Sequence, residues 1–319
     1  MSSRPVPHPL QLHRRRVLFG GLCLCCLPTR LRAGSPAGFA TEEIAPGIHV
    51  RRGVDAEAAV ENAGGIANVG FIVGGDAVLV TDPGGSLADG ENLRAAIRRV
   101  TDLPIRYVVM SHVHPDHIFG AGAFRQDNPA FIGHARLPQA LAQRGAYYRE
   151  RLEAVLGPGR AGPVVMPTLL VETATELDLG DRAIRMTAHG PAHTDNDLSL
   201  FDRRSGTLFP ADLLFVGRVP SLDGSLRGWL QELVALEALP ATQAVPGHGP
   251  ARVDWPAGSA DLKRYLHTLV EETRAAIRAN IGITAATETV ASGERDRWAL
   301  FDDYNGRNVT RAYKELEWE

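Results

Sequence analysis

The residues best suited to chemistry lie in the segment 111–117, where three histidines and one aspartate fall within six positions. His112 and His114 are two positions apart, so their side chains point the same way if the segment is extended. Pro115 bends the chain after them, which lets Asp116 and His117 face other directions. The pattern predicts a site for two metal ions, and a mixture of imidazole and carboxylate ligands favours zinc.

Three later residues complete this set, and each follows strand-rich sequence: His193, Asp212 and His248. Together with the spacing His-x-His-x-Asp-His, they resemble the metallo-β-lactamase superfamily of metallohydrolases. The resemblance implies one ion held by His112, His114 and His193, a second held by Asp116, His117 and His248, and Asp212 as the bridge between them.

Two Zn²⁺ ions are the cofactors that the resemblance implies, with Mn²⁺ or Fe²⁺ as alternatives. Two divalent ions about 3.5–4 Å apart can deprotonate a water near neutral pH. The resulting metal-bridging hydroxide would attack a carbonyl-type substrate, either an ester, a thioester or a lactam. Asp116 is the catalytic candidate, because it could orient the nucleophile or move its proton. The chain is therefore expected to be a metal-dependent hydrolase with a small-molecule substrate.

Three alternatives stay open at this point. A β-lactamase of the class B type suits an exported protein. A thioesterase of the glyoxalase II kind is disfavoured, because no basic segment for gripping glutathione is evident. A protein of another class, a non-catalytic metal-binding partner of a periplasmic redox system, is disfavoured by the full ligand set, since a structural site needs fewer residues.

A narrower resemblance is carried by three stretches, residues 110–120, 193–198 and 222–229. They are similar to exported zinc metallohydrolases associated with quinoprotein dehydrogenase relay systems and sulfur oxidation. The resemblance implies a possible link to a periplasmic quinoprotein dehydrogenase system, but it does not supply a natural substrate.

Four further residues are candidates around the metal site. The family resemblance implies that Asp82 hydrogen-bonds a metal-binding imidazole, with a simple turn residue as the alternative. His189 competes with His193 for the ligand role and is interpreted either as a group at the pocket edge or as one that supports a ligand. Arg227 could grip a substrate carboxylate, with a surface salt bridge as the equal alternative. Trp229 is expected to line the same substrate pocket.

The N-terminal residues 1–33 have the pattern of a bacterial export signal. Arginines at 14–16 precede an apolar run at 17–27, and no acidic residue occurs before Glu42. This resembles a twin-arginine signal, so we expect a periplasmic protein without stable membrane insertion after processing. All three cysteines (Cys23, Cys25 and Cys26) lie in this segment, which leaves the mature chain with neither disulfides nor thiolate ligands.

The charge balance disfavours a nucleic-acid partner. Residues 1–33 contain six arginines and no acidic residue, so their removal changes the formal charge from −3 to −9. Nucleic-acid binding requires basic patches, which an acidic protein of this kind is not expected to supply.

The elements that must position these residues alternate between strands and helices. Strands at 77–82 and 105–110 flank a helix at 87–100, and a second strand-rich half follows residue 168. We expect an α/β fold, which the family resemblance specifies as a single-domain four-layer αββα sandwich over residues 40–285. Residues 286–319, which contain Tyr304, Tyr313 and Trp318, are expected to dock on the same domain.

Overall fold

Two β-sheets form the centre of the protein. The computed structural model describes Met1 and residues 39–319, so the predicted export segment lies outside the described residues. The first sheet has seven strands in chain order: β1 (Glu42–Ala45), β2 (Ile48–Arg51), β3 (Val69–Val73), β4 (Val78–Thr81), β5 (Ile105–Val109), β6 (Ala130–His134) and β7 (Leu169–Val171). Strands β1 to β4 pair antiparallel, and β4 to β7 pair parallel.

The second sheet has six strands, again neighbours in chain order: β8 (Ala174–Asp178), β9 (Ala183–Ala188), β10 (Leu198–Asp202), β11 (Thr207–Phe215), β12 (Gln243–His248) and β13 (Val253–Asp254). Only β11 and β12 pair in parallel, which requires a crossover connection. Helix α4 (Leu226–Glu237) provides it.

Helices cover the outer face of each sheet. On the first sheet these are α1 (Leu87–Val100), the short α2 (Pro115–Ile118), a 3₁₀ helix (Phe119–Asp127) and α3 (Leu137–Leu156). On the second they are α4, α5 (Ala260–Arg278), α6 (Ile283–Thr289) and α7 (Phe301–Leu316). An apolar core that includes Ile72, Leu79, Met186 and Leu200 lies between the two sheets. The predicted α/β sandwich of four layers is confirmed.

Helix α1 shows how the local sequence sets an element. Ser86 caps it by accepting a hydrogen bond from the Asp89 backbone N–H at 3.2 Å, which satisfies a donor that the first helical turn leaves free. Leu93 and Ile97, four positions apart, are buried on one face. Val100, expected on that face, is exposed instead, because it occupies the final turn.

The C-terminal residues pack on the second sheet's helices. Asn305, Val309, Ala312 and Leu316 form a buried stripe of α7, and Tyr265 of α5 donates a hydrogen bond to Asn305 Oδ1 at 2.8 Å. Trp318 departs from the expected docking, because it follows the end of α7 and is 84 % exposed. Among the described residues, none of the helices combines the length and apolar character needed to cross a bilayer.

Strand β11 extends beyond Asp212. It continues to Phe215, and its pairing with β12 shifts register around Ala211. Ala211 has a φ of 49°, in the left-handed region that residues with a Cβ seldom adopt. Asp212 therefore lies inside the strand, directly after this irregularity.

Candidate metal centre

Seven side chains from four chain segments meet at one edge of the two sheets. His112, His114, Asp116 and His117 follow β5, and the other three are His193 in the loop after β9, Asp212 in β11 and His248 at the end of β12. One set of ligand atoms, from His112, His114, His193 and Asp212, lies within 4.8 Å of one another. A second set, from Asp116, His117 and His248, meets the same limit.

The first set converges on the nitrogens that a metal would use. His114 Nδ1 lies 3.1 Å from His112 Nε2 and 2.9 Å from His193 Nε2. In the second set, His248 Nε2 lies 3.2 Å from Asp116 Oδ2, and His117 Nε2 lies 3.5 Å from the same oxygen. These separations match those between ligands that share one cation, because each metal–ligand bond is about 2.0–2.2 Å long.

Asp212 lies between the two sets. Its Oδ2 is 3.7 Å from His112 Nε2 and 3.4 Å from His193 Nε2. Toward the second set, Oδ1 is 3.1 Å from His117 Nε2, and Oδ2 is 3.4 Å from His248 Nε2. The Asp212 carboxylate is therefore within reach of ligand atoms from both sets.

Unsatisfied polar atoms show that these residues fit a metal. Among the described residues, His117 Nε2 and Asp212 Oδ1 are fully buried and have no hydrogen-bond partner. Buried polar atoms are almost always paired, because leaving one unpaired costs about 1–3 kcal/mol. A cation coordinated by both atoms would remove that cost.

Each imidazole is also held at its other ring nitrogen. His193 Nδ1 contacts Ser221 O at 2.6 Å, and His248 Nδ1 contacts Ile66 O at 3.0 Å. Such contacts fix ring orientation and leave the inward nitrogen free to bind a metal. The remaining contacts are His112 Nδ1 with Ser111 Oγ at 3.0 Å, His117 Nδ1 with Asp82 Oδ2 at 2.9 Å and His114 Nε2 with Asp223 Oδ2 at 3.3 Å.

The predicted position of Asp82 is matched by its contacts. Besides His117, its carboxylate accepts hydrogen bonds from Ser111 N at 2.7 Å and Ser111 Oγ at 2.8 Å. Asp82 has a φ of 61°, so the chain turns sharply at the end of β4 and directs the carboxylate under the metal loop. The role of Asp82 in metal binding stays a prediction.

The electrostatics of the two sets differ. Burial lowers the pKa of His193 to about 3 and that of His112 well below its usual value, so both are neutral and able to bind a cation at pH 7. For His117, burial acts in the same direction, but the carboxylates of Asp212, Asp116 and Asp82 outweigh it and raise the pKa well above its usual value. The second set thus concentrates negative charge that a cation can neutralise.

Gly247 makes room for the bridging carboxylate. A Cβ at this position would lie 1.8 Å from Asp212 Oδ1 and 2.8 Å from the backbone carbonyl carbon of Ala211. No side chain other than hydrogen fits there without moving one of them.

Two residues that were not expected at the site, Asp223 and Arg144, support His114. Asp223 contacts His114 Nε2 and forms an ion pair with Arg144 of α3, which also approaches the Tyr148 hydroxyl at 3.5 Å. Asp223 does not cap the neighbouring helix α4, whose cap is Ser225, which accepts from Gly228 N at 3.0 Å. Nothing in the sequence around Asp223 indicates that the fold brings it close to His114.

His189 lies outside both ligand sets. It is buried, with Nδ1 2.7 Å from Glu232 Oε2 and Nε2 2.7 Å from Ser199 Oγ, so both ring nitrogens are already used. Its side chain is not among the residues that line the metal cavity. His189 instead ties the loop that carries His193 to α4, which corrects the expected pocket-edge position.

Arg227 and Trp229 also need correction, because neither lines the cavity at the metal centre. Arg227 is exposed and lies 3.1 Å from Glu319, as the surface salt-bridge alternative expected. Trp229 is 0 % exposed, donates to Leu213 O at 3.1 Å and packs with its ring centroid 5.3 Å from that of His193. It supports a predicted ligand from behind rather than contacting a substrate.

A cavity of about 370 Å³ opens onto the metal centre. His114, Asp116, Asp212 and His248 form its floor, and its walls come from the loop 57–66, helix α3, the segment 215–221 and helix α7. A volume of this size accommodates a small organic molecule.

The fold and the site together define the class of this protein, a hydrolase whose chemistry depends on bound metal. A family model described as the metallo-beta-lactamase superfamily matches residues 62–248, more than half of the chain. The chain belongs to that superfamily.

Two curated relatives are similar over part of the chain. A linear primary-alkylsulfatase of Pseudomonas sp. is 23 % identical over 211 residues, which cover 54 % of this chain and 40 % of the relative. A probable metallo-hydrolase of Bacillus subtilis, YqgX, is 26 % identical over 194 residues, which cover 58 % of this chain and 85 % of the relative. The match thus spans less than half of the alkylsulfatase.

Solved structures share the fold at low identity. A metallo-beta-lactamase from Pontibacter korlensis aligns with a TM-score of 0.58 and 16 % identity, covering 72 % of this chain and 99 % of that structure. The stereoselective inverting sec-alkylsulfatase Pisa1 from Pseudomonas sp. aligns with a TM-score of 0.69 and 15 % identity, covering 87 % of this chain and 50 % of that structure. These likenesses concern the fold alone.

Proposed function

We propose that this protein is an exported hydrolase with two metal ions, zinc in both positions, that attacks a carbonyl-type bond in an ester, thioester or lactam. The observation that carries the proposal is the position of Asp212 between two sets of ligand atoms, with one of its oxygens buried and unpaired. A single closed structural site would not need a shared carboxylate or a cavity above it.

The residues would divide the work as follows. His112, His114 and His193 would hold one ion, Asp116, His117 and His248 the other, and Asp212 both. When bound, such ions supply a water activated near neutral pH and a positive charge that stabilises a developing oxyanion. Asp116 lines the cavity floor, and its carboxylate would orient the attacking water and accept its proton.

Sulfate-ester hydrolysis is a second candidate chemistry. Two of the similar proteins are named alkylsulfatases, one by sequence and one by fold. A β-lactamase activity remains the alternative within lactam chemistry, and it draws support from the name of a third similar protein.

Export to the periplasm and a link to a quinoprotein dehydrogenase system form the cellular part of the proposal. Support comes from the arginine-preceded apolar run in residues 1–33 and from the stretches 110–120, 193–198 and 222–229 that resemble the relay-associated group.

Metal analysis combined with a substrate panel tests the proposal. The purified protein should contain two equivalents of zinc and hydrolyse at least one of nitrocefin, a p-nitrophenyl ester, an acyl thioester, a lactone or a primary alkyl sulfate. A chelator should abolish that turnover, and added Zn²⁺ should restore it. Full activity with one equivalent of metal would overturn the two-ion scheme, and chelator-resistant turnover would overturn metal-dependent catalysis.

A further inference from the structure

The walls of the metal cavity carry two arginines that have no ionic or hydrogen-bond partner among the described residues. Arg151 of α3 and Arg307 of α7 both line the cavity, and both side chains are exposed. Neither forms an ion pair or a side-chain hydrogen bond with any residue that the structure describes. Because the floor residues Asp212 and His248 are buried whereas these arginines are exposed, the arginines lie at the rim.

A third arginine at the cavity, Arg218, is already used by the fold. It is buried, donates to Ala56 O at 3.1 Å and lies 3.4 Å from Glu57 Oε1. Its guanidinium also lies 5.7 Å from the ring centroid of Tyr304, whose hydroxyl donates to the same Glu57 carboxylate at 2.6 Å. This network fixes Tyr304 of α7 against the cavity and leaves Arg218 without spare charge for a ligand.

Tyr304 in turn positions Arg307. The Arg307 guanidinium lies 5.5 Å from the Tyr304 ring centroid, a distance at which a cation is attracted to the face of an aromatic ring. Arg307 is thus oriented by a fixed neighbour while its hydrogen-bond donors stay free. A planar guanidinium of this kind binds a carboxylate or another oxyanion through two donors at once.

Because the surrounding protein is negatively charged, these two arginines are the groups that would allow the cavity to select an anionic ligand. From residue 39 onward the chain has a formal charge of −9, because the first 38 residues contain six arginines and no acidic residue. A negative protein repels anions at long range, so local recognition of an anion needs free cations at the site. Of the acidic groups lining the cavity, Asp116 and Asp212 belong to the metal centre and Glu57 is paired.

Part of the remaining wall is apolar. Ala58, Ile66, Leu152, Val155 and Val219 line the cavity together with the two arginines. A ligand that complements these surfaces has a scissile group at the floor, an apolar middle and a negative charge at the outer end.

We propose that Arg151 and Arg307 form an anion subsite, so that the substrates are esters, thioesters, lactams or sulfate esters that carry a second, anionic group beyond an apolar spacer. The proposal rests on the hydrolase function proposed above and names its substrate class. Arg151 and Arg307 act as specificity-determining residues in it.

Paired esters test the subsite. The zinc-loaded enzyme is assayed with p-nitrophenyl butyrate and with the mono-p-nitrophenyl ester of glutaric acid, which adds a terminal carboxylate to a similar chain. We expect kcat/KM to be at least tenfold higher for the charged ester. In the double variant Arg151→Gln/Arg307→Gln this ratio should fall at least tenfold, mainly through KM.

Arg149→Gln is the matched control. Arg149 is an exposed arginine of α3, two positions before Arg151, and does not line the cavity. This variant should keep the wild-type ratio. A ratio near one in the wild-type enzyme, or an unchanged ratio in the double variant, would overturn the subsite.

A binding measurement separates the subsite from the reaction. By isothermal titration, the zinc-loaded protein should bind glutarate at least tenfold more tightly than butyrate, and the double variant should bind the two equally. Turnover of the neutral ester without any preference for the anion overturns the subsite and leaves the hydrolase intact. Tighter glutarate binding that the double variant loses, with neither ester hydrolysed, supports the subsite and overturns the ester chemistry. If neither ester is hydrolysed and glutarate binds no more tightly than butyrate, the subsite and the ester chemistry are both wrong.

Discussion

The floor and the rim of the cavity are built in opposite ways. The floor consists of buried and half-buried residues in or near strand ends, with each imidazole fixed at its outer nitrogen. The rim consists of exposed side chains on two helices, α3 and α7, that come from distant parts of the chain. The difference shows that metal binding is fixed by rigid backbone and buried contacts, whereas the part of the site that would meet a substrate depends on how helices dock.

The largest effect is expected from Asp212→Asn. Loss of one anionic ligand between the two sets should remove the second equivalent of metal and lower kcat/KM by about 10³-fold, which is about 4 kcal/mol in the barrier. Metal analysis and the kinetics of the best panel substrate check this. Asp254→Asn, at an exposed strand position, is the control and should keep both. Two bound ions and wild-type turnover in Asp212→Asn would contradict the role of the floor.

A pH effect is expected at Asp197, which supports the loop that carries His193. Its carboxylate accepts from Thr194 N and Oγ at 2.8 and 2.6 Å, and burial raises its pKa from 3.8 to about 6. The folded protein therefore holds this proton more tightly than the unfolded chain does. The contribution to stability is fully present below about pH 4 and is lost as the pH rises through about 6, by up to about 3 kcal/mol.

Asp197→Asn should remove this part of the pH dependence. Urea unfolding in chelator at pH 4, 5, 6 and 7 measures it, with the free energy of unfolding of wild type falling relative to the variant as the pH rises. Parallel curves for the two proteins would show that Asp197 titrates normally. Asp254→Asn should run parallel to wild type in the same experiment.

Gly247→Ala tests whether the floor tolerates a single methyl group. The added Cβ would displace the Asp212 carboxylate or the Ala211 backbone, so we expect a loss of about 10–100-fold in kcat/KM with weaker zinc binding. Gly282→Ala is the control, because no atom lies within 4 Å of its Cβ position and its φ is −65°. If Gly247→Ala retained full activity and zinc affinity, the packing around Asp212 would be less constrained than the distances indicate.

The smallest effects are expected from replacing two carboxylates that support imidazoles, one beneath the floor and one toward the rim. Replacing such a residue lowers metal affinity by roughly 10–100-fold. For Asp82→Asn we expect a loss of metal affinity near the upper end of this range, since the Asp82 side chain is 8 % exposed and held by Ser111. Asp223→Asn should lie near the lower end, since its side chain is 33 % exposed. Competition with a chromogenic zinc chelator ranks the two, and the reverse order would contradict the comparison.

The sequence predicted the floor well because its signals are local. Four ligand candidates fall within six positions after a strand, and the family resemblance pointed to the other three, each of which follows strand-rich sequence. Helix α1 occupies the predicted residues 87–100, and β5 (Ile105–Val109) matches the predicted strand at 105–110. The bulge at Ala211 was not predictable, because a backbone irregularity of this kind depends on the partner strand.

The rim was predicted poorly because it depends on contacts between distant residues. Arg227 and Trp229 were placed at the pocket from their nearness to Asp212 in sequence, yet the orientation of α4 buries one and turns the other to solvent. Arg307 lies 59 positions after His248, and nothing in its local sequence indicates that α7 reaches the cavity. Asp223 was missed for the same reason.

Helix α7 also reaches beyond the cavity. Glu315 accepts hydrogen bonds from Ser225 Oγ at 2.8 Å and from Leu226 N at 2.7 Å, so the chain's last helix closes the start of α4 while Tyr304 and Arg307 face the cavity. None of the seven predicted ligands belongs to it. With the proposed subsite, a change in this one helix would alter which substrates are selected without replacing a predicted metal ligand.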